Sequence, residues 1–144
     1  MRRSVLLRAM AVLAIFFIPV YTFAMGLTYV EARIKPVSNG GGARPVRFLV
    51  DTGATDSLVP ASQLRDMGVA PVGQKRYELA DGSLQEYAFG FAAFEIMGVQ
   101  TVGSVIFGPE GSEPLLGVTI LESAGVMVDP ANLTLKKLPA IPLK

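Results

Sequence analysis

An all-β fold with one or two short helices is what this sequence predicts, and three observations lead there. Apolar runs of strand length, rich in Val, Ile, Phe and Tyr, recur along the chain, bounded by Gly, Pro, Asn or Asp. Fifteen Gly and ten Pro are spread through the 144 residues, which suits many short strands and turns. Tyr87, Phe89 and Phe91 alternate with Ala88, Gly90 and Ala92, the period-2 mark of a strand with one bulky face. That bulky face is read as part of the core. The length fits one domain, and 51 % hydrophobic with 17 % charged residues is a globular balance, not a disordered one.

In chain order, residues 27–37 read as a strand, Ser38-Asn39-Gly40-Gly41-Gly42 as a flexible turn, and residues 44–50 as the partner strand. Residues 57–59 form a short strand. Residues 60–67 suit a short helix that Gly68 stops. Residues 77–87 have a hairpin pattern with Asp81-Gly82 at the tight turn. Residues 94–97 and 101–107 are two further strands turning near Gly98, and residues 108–114 are a loop. Thr119 and Glu122 stand at capping-box spacing, which predicts a second short helix starting there and ended by Gly125. Residues 126–128 and 133–135 are strands joined across Asp129-Pro130.

Leu64-Arg65-Asp66-Met67-Gly68-Val69 matches Leu121-Glu122-Ser123-Ala124-Gly125-Val126 in its Leu, Gly and Val. Two readings stand: coincidence between two ordinary helices, or a duplicated strand–turn–helix unit with approximate two-fold symmetry.

The chemistry concentrates where one apolar strand ends. Val46-Arg47-Phe48-Leu49-Val50 runs into Asp51-Thr52-Gly53, so a carboxylate sits at the mouth of a buried strand beside a glycine that permits close backbone approach. The sequence has no His and no Cys, which excludes a Ser-His or Cys-His nucleophile and a metal centre built on imidazole or thiolate. Any catalysis falls to carboxylates, with no metal and no cofactor. Taken alone, Asp51-Thr52-Gly53 reads equally well as an Asx-type turn between strands.

Arg2-Arg3, the uncharged apolar residues 9–20 and the small-residue end Thr22-Phe23-Ala24 have the layout of a secretory signal. Residues 1–24 are therefore expected to be a signal peptide or membrane anchor, and residues 25–144 the working domain. Cleavage after Ala24 exports the domain to the periplasm or medium; retention of residues 9–27 attaches it to a membrane by its N-terminus. Translation from Met25 would leave it cytoplasmic. Without Arg2, Arg3 and Arg8 the chain keeps 10 basic against 12 acidic side chains, so nucleic acid is not an expected partner.

Val50-Asp51-Thr52-Gly53-Ala54-Thr55, the hairpin tip Leu79-Ala80-Asp81-Gly82-Ser83, and Leu115-Leu116-Gly117 occur in the order and at the spacing of the retroviral-type aspartic proteases. The chain resembles that family over residues 25–138, and looks most like its small bacterial single-domain members. The resemblance implies a retropepsin-like closed β-barrel acting as a homodimer. It makes Asp51 the catalytic aspartate. Thr52 would hydrogen-bond across to the partner subunit, and Gly53 would lie against substrate backbone. Ala54, where some relatives carry Ser, completes the turn. Leu116 and Gly117 would support the catalytic loop from behind. Ala80, Asp81, Gly82 and Ser83 fall where the family has its flap, and Asp56 is a candidate for a substrate subsite, though a solvated or capping role is the plainer reading. The family's usual acid two residues after the catalytic Gly is Thr55 here, and the Arg it commonly pairs with is Val118, so both ends of that pair are missing together.

Peptide hydrolysis without a covalent intermediate needs one group to activate water and another to protonate, and two close carboxylates sharing one proton do both. With a single Asp-Thr-Gly, the second carboxylate is expected from another copy across a two-fold axis. Two function classes follow. One is an aspartic endopeptidase acting on peptide or protein substrates through an Asp51 pair. The other is a catalytically silent domain of the same fold that binds peptides or dimerises.

Overall fold

A computed structural model describes residues 26–38 and 41–143; the proposed signal or anchor at residues 1–24 lies outside the described residues. Among the described residues no helix is long and apolar enough to cross a membrane. Nine strands and two helices of about two turns follow in order among the described residues: β1 Tyr29–Pro36, β2 Arg44–Val50, β3 Ser57–Pro60, α1 Ala61–Met67, β4 Gly73–Glu78, β5 Leu84–Ile96, β6 Val99–Gly108, β7 Leu115–Leu116, α2 Val118–Ala124, β8 Val126–Asp129 and β9 Thr134–Lys137. The fold is all-β, as expected.

Strands run in the order β1-β2-β7-β3-β6-β5-β4, and an added pairing of β1 with β5 closes six of them into a ring, leaving β4 outside on β5. The interior is filled by Ile34, Phe48, Phe94, Val105 and Leu116, all without exposure. Phe48 and Phe94 meet with ring centroids 6.2 Å apart. β8 and β9 pair only with each other.

Most element positions match the sequence reading, with three corrections. Residues 84–96 form one strand, not a hairpin arm followed by a separate strand at 94–97, because no turn residue interrupts Phe91-Ala92-Ala93-Phe94 and pairing with β6 is continuous from Phe89 to Ile96. The Tyr87, Phe89, Phe91 face is not core: Phe91 is 46 % exposed, while Gly90 and Ala92 turn inward. The interior has no room for the larger set, since a side-chain carbon at Gly90 would stand 3.3 Å from the Phe107 ring and 2.5 Å from the Ala70 carbonyl oxygen. Finally, α2 starts at Val118 with no side-chain cap, so Thr119 and Glu122 form no capping box. The Thr119 hydroxyl donates instead to the Thr55 carbonyl, 2.8 Å away.

The duplicated-unit reading gains strong support. α1 and α2 begin 57 residues apart (118 − 61), and both end on a left-handed glycine, Gly68 at φ 91° and Gly125 at φ 71°. The same offset carries the parallel pair Leu49↔Leu115 of β2 and β7 onto the parallel pair Ile106↔Leu58 of β6 and β3. The two units meet at Leu58↔Leu115, where β3 and β7 pair antiparallel. Under this symmetry the counterpart of Asp51 is Gly108, a position filled by the Leu58 side chain, which lies 2.5 Å from where a side-chain carbon would stand.

Phe94 sits where β5 meets both β1, opposite Ile34, and β6, opposite Thr101, so it holds the ring closed. Phe94→Ala is expected to cost about 3–5 kcal/mol, read as a lowered denaturant midpoint at an unchanged slope.

Candidate active site

The Asp51 loop is fixed by backbone on both sides. Val50 N–H donates to the Thr28 carbonyl at 2.9 Å and Asp51 N–H to the Leu116 carbonyl at 3.0 Å. These two bonds clamp the end of β2 between the segment before β1 and the end of β7. Asp51 is half-buried. Its Oδ1 accepts the Gly53 N–H at 3.0 Å, while Ala54 N–H donates to its carbonyl at 3.1 Å. The Asx-turn reading and the presented-carboxylate reading are thus the same geometry. The turn uses one carboxylate oxygen and leaves Oδ2 without a hydrogen-bond partner among the described residues. Thr52 and Gly53 are exposed at the tip of the loop.

The start of α2 grips the far side of this loop. Val118 N–H donates to the Ala54 carbonyl at 2.8 Å, and Thr119 N–H to the Thr55 carbonyl at 3.3 Å. Gly117 N–H donates to the Ser57 hydroxyl oxygen at 2.9 Å, and Ser57 is fully buried. Gly117 has ordinary backbone angles, φ −87° and ψ 170°. Glycine is required there for space: a side-chain carbon would stand 2.7 Å from the Asp56 carbonyl and 2.8 Å from that of Thr55. Leu116, wholly buried, anchors this support in the core.

A cleft of about 250 Å³ opens beside the loop and brings Gly53, Ala54 and Asp56 together with Tyr77, Leu79 and Tyr87 of the β4–β5 hairpin. The aromatic stripe therefore lies partly over the candidate site. The hairpin tip, Ala80 to Ser83, is exposed and outside the cleft lining. Gly82 takes φ 86° in open space, and Leu79 N–H and Gly82 N–H close the turn onto the Ser83 and Leu79 carbonyls, both at 2.8 Å. The Asp81 carboxylate accepts the Ser83 hydroxyl and N–H, which hold its pKa below the usual carboxylate range. Asp81 thus shapes the turn and does not approach Asp51's loop through any hydrogen bond. A larger apolar groove of about 590 Å³, between Val69, Val72, Phe91 and Val102, contains no residue of the Asp51 loop.

Asp56 is neither solvated nor a helix cap. Its side chain is 11 % exposed, and Oδ2 accepts the Tyr77 hydroxyl at 2.7 Å and faces Lys75 Nζ at 3.5 Å. Burial, and then the bond to the Asp56 carboxylate, push the Tyr77 hydroxyl above the ordinary phenol range. Lys75, Tyr77 and Ser57 are site-building residues that the sequence reading did not single out, and Thr119, read there as a capping-box residue, is a fourth. The available signal was a Lys and a Tyr two apart on one strand face, opposite a carboxylate that needed partners.

The Gly117 geometry makes a comparative prediction. Gly117→Ala is expected to destabilise the protein by about 1–3 kcal/mol or more, the scale of overpacking against backbone. Gly53→Ala, where a side-chain carbon meets only Asp51 Oδ1 at 3.3 Å, is expected to change the melting temperature far less. Equal melting temperatures for the two variants would contradict the clamp.

Comparison with known proteins agrees with this architecture. Several solved structures are similar to the chain, three of them from different sources. One is EIAV protease complexed with the inhibitor HBY-793, with TM-score 0.54 and 18 % identity over 72 % of this chain and 93 % of that one. The retroviral protease-like domain of Ddi1 from Leishmania major has TM-score 0.50 and 17 % identity over 80 % and 92 %. The retropepsin-like aspartic protease from Rickettsia conorii has TM-score 0.43 and 23 % identity over 72 % and 85 %. At these identities the first two speak for a shared fold. No curated protein matches the chain. The family model described as "gag-polyprotein putative aspartyl protease" matches residues 39–123, more than half of the sequence and inclusive of the Asp51 loop, the hairpin and the start of α2. The chain belongs to this retropepsin-like aspartyl protease family.

Proposed function

We propose that the protein is an aspartic endopeptidase whose working unit is a homodimer, with Asp51 of each copy forming the catalytic pair. The observation that carries this reading is the asymmetry of the duplicated unit. Asp51 is presented by a loop clamped on both sides, whereas its internal counterpart is Gly108, which has no carboxylate and no space for one. One chain therefore supplies half of a two-carboxylate site, and a C2 dimer supplies the other half.

In such a pair the proximity of like charges raises one pKa, so that a single proton is shared. The ionised member takes a proton from water as it attacks the peptide carbonyl. The protonated member donates to the developing oxyanion and, later, a proton reaches the leaving nitrogen. The Gly53 N–H holds Asp51 Oδ1 and leaves Oδ2 for water or the partner. Thr52, exposed at the loop tip, is placed for the contact with the partner subunit, and exposed Gly53 for substrate backbone. Ala54 offers no hydroxyl to the ionised pair, which disfavours its charged form. The β4–β5 hairpin serves as the flap, Leu79 lining the cleft and Ala80-Asp81-Gly82-Ser83 free to move at its tip. The substrate is a peptide or unstructured protein.

The direct test is cleavage of an unstructured protein by wild type and Asp51→Asn. The variant is expected to lose activity by roughly 10³-fold or more, the scale of removing a catalytic group, with its circular dichroism unchanged. Undiminished cleavage would refute the assignment. Specific activity of the wild type should fall on dilution through the dimer dissociation range, measured alongside molecular mass in solution; a fully active monomer would overturn the shared site.

The amino-terminal pattern supports export, which would place Asp51 outside the cytoplasm. Expression of the full sequence in a bacterial host is expected to yield a mature chain beginning at Met25 in the exported fraction. Product found only in the cytoplasm would contradict this.

A further inference from the structure

We propose that Tyr77 and Asp56 form a latch that positions the β4–β5 hairpin over the Asp51 loop, making Tyr77 a positioning residue for substrate binding. The proposal rests on the reading of the hairpin as a flap.

The hairpin needs such a fixing point. β4 lies outside the closed ring and, among the described residues, pairs with β5 alone, with no strand on its other edge. A two-stranded ribbon projecting from a sheet twists and bends easily. Its position over the cleft must be set by side chains. Among the described residues, the side-chain hydrogen bonds between β4 and the Asp51–Asp56 loop all end on Asp56 Oδ2.

The two donors differ in how they are held. Lys75 and Tyr77 are two apart and project from the same face of β4. Lys75 has other partners: Nζ lies 4.4 Å from the Phe89 ring centroid and 3.4 Å from Ser104 Oγ, to which it also donates. The Tyr77 hydroxyl bonds only Asp56, at 2.7 Å, the length of a charge-assisted bond. Its ring leans on Tyr87 of the facing strand, with centroids 6.2 Å apart. Both residues tie Asp56 to β4, Lys75 sharing its ammonium with Phe89 and Ser104 and Tyr77 committing its hydroxyl to Asp56.

The placement in the chain gives the bond leverage. Tyr77 stands two residues before Leu79, whose N–H and carbonyl close the hairpin turn. Asp56 stands two residues after Ala54, whose carbonyl is fixed by Val118 N–H. The latch therefore joins the outer end of the hairpin, just before its turn, to the clamped Asp51 loop. At 11 % exposure the Asp56 carboxylate is largely shielded from water under the hairpin, and the phenol and Lys75 provide the partners that water would otherwise supply. The same occupancy argues against Asp56 acting as a free charge that reads a basic substrate side chain.

Tyr77→Phe deletes the hydroxyl and keeps the ring. Amide hydrogen exchange at Leu79 and Gly82 is expected to quicken roughly tenfold in this variant, while amides of Phe94 and Ile106 in the ring keep their wild-type rates. In peptide cleavage, KM is expected to rise roughly tenfold with a much smaller change in kcat, because a loose arm weakens substrate capture more than chemistry. Asp56→Ala should reproduce both effects, and the double variant should add little to either. Asp56→Asn keeps an acceptor for the phenol and should restore most of the hairpin protection.

Wild-type exchange at Leu79 and Gly82 in Tyr77→Phe would overturn the latch. Faster exchange with unchanged KM would overturn its role in substrate binding. Should the wild type cleave no substrate, the endopeptidase reading fails, and the exchange measurement still decides the latch.

Discussion

The hydrogen bonds that run between residues 51–57 and residues 116–119 are the constraint on which the rest of the site depends. The Leu116 carbonyl receives Asp51 N–H, the Ala54 and Thr55 carbonyls receive the first N–H groups of α2, and the Ser57 hydroxyl receives Gly117 N–H. A helix start normally leaves such N–H groups in search of partners. Here the Asp51 loop is the partner, so helix and loop satisfy each other and the helix needs no side-chain cap. Close approach of two backbones makes this feasible, and it requires Gly117, since any side-chain carbon there would meet the Asp56 and Thr55 carbonyl groups.

This clamp also accounts for the two charges that the chain lacks. Retroviral relatives commonly hold the same region with an acid and an Arg, at the positions of Thr55 and Val118. In this protein the link is made by main chain: Val118 N–H to Ala54, and Thr119 N–H and hydroxyl to Thr55. Removing one member of a buried ion pair leaves an uncompensated charge, whereas replacing both by neutral groups that are hydrogen-bonded elsewhere avoids the desolvation cost altogether. The remaining acid of the loop, Asp56, is not stranded either, because β4 brings Tyr77 and Lys75 to it.

How much of this was legible in the sequence follows from the range of each interaction. Strand and helix positions depend on local pattern, and β2, α1 with its Gly68 stop, and the turn at Gly98 stand where the residues put them. The Asp51 turn was legible because its chemistry is contained in three successive residues. The core face of β5 was misread because alternation marks two faces without saying which is inside. Bulk at Tyr87, Phe89 and Phe91 argued for one side, while Phe107 and the loop at Ala70 had already filled the interior behind Gly90. The capping box failed for a similar reason: Thr119 and Glu122 have the local spacing, but the loop at Ala54 and Thr55, more than sixty positions away in the chain, supplies the caps. Tyr77 and Lys75 escaped notice because their partner, Asp56, is on a different unit of the fold.

The internal symmetry explains why a fold of this size presents one carboxylate. Each unit contributes a strand, a loop and a short helix, and the two units pack about the Leu58↔Leu115 pair. In the second unit the residue at the loop start is Gly108, and Leu58 occupies the volume beside it. That exchange places an apolar side chain from β3 against the equivalent of the Asp51 position, and Leu58 in turn lines the cleft beside Asp56 and Tyr77. Leu58, Ile106 and Leu115 together form an apolar wall of that cleft. Restoring a carboxylate at residue 108 would require displacing Leu58 and would bury a charge with the Ser112 hydroxyl as its nearest polar neighbour, at a cost a domain of this size does not readily absorb. In the proposed dimer a second copy of the chain would supply the missing carboxylate without that cost, so duplication within the chain and the proposed duplication between chains answer different needs, the first the fold and the second the chemistry.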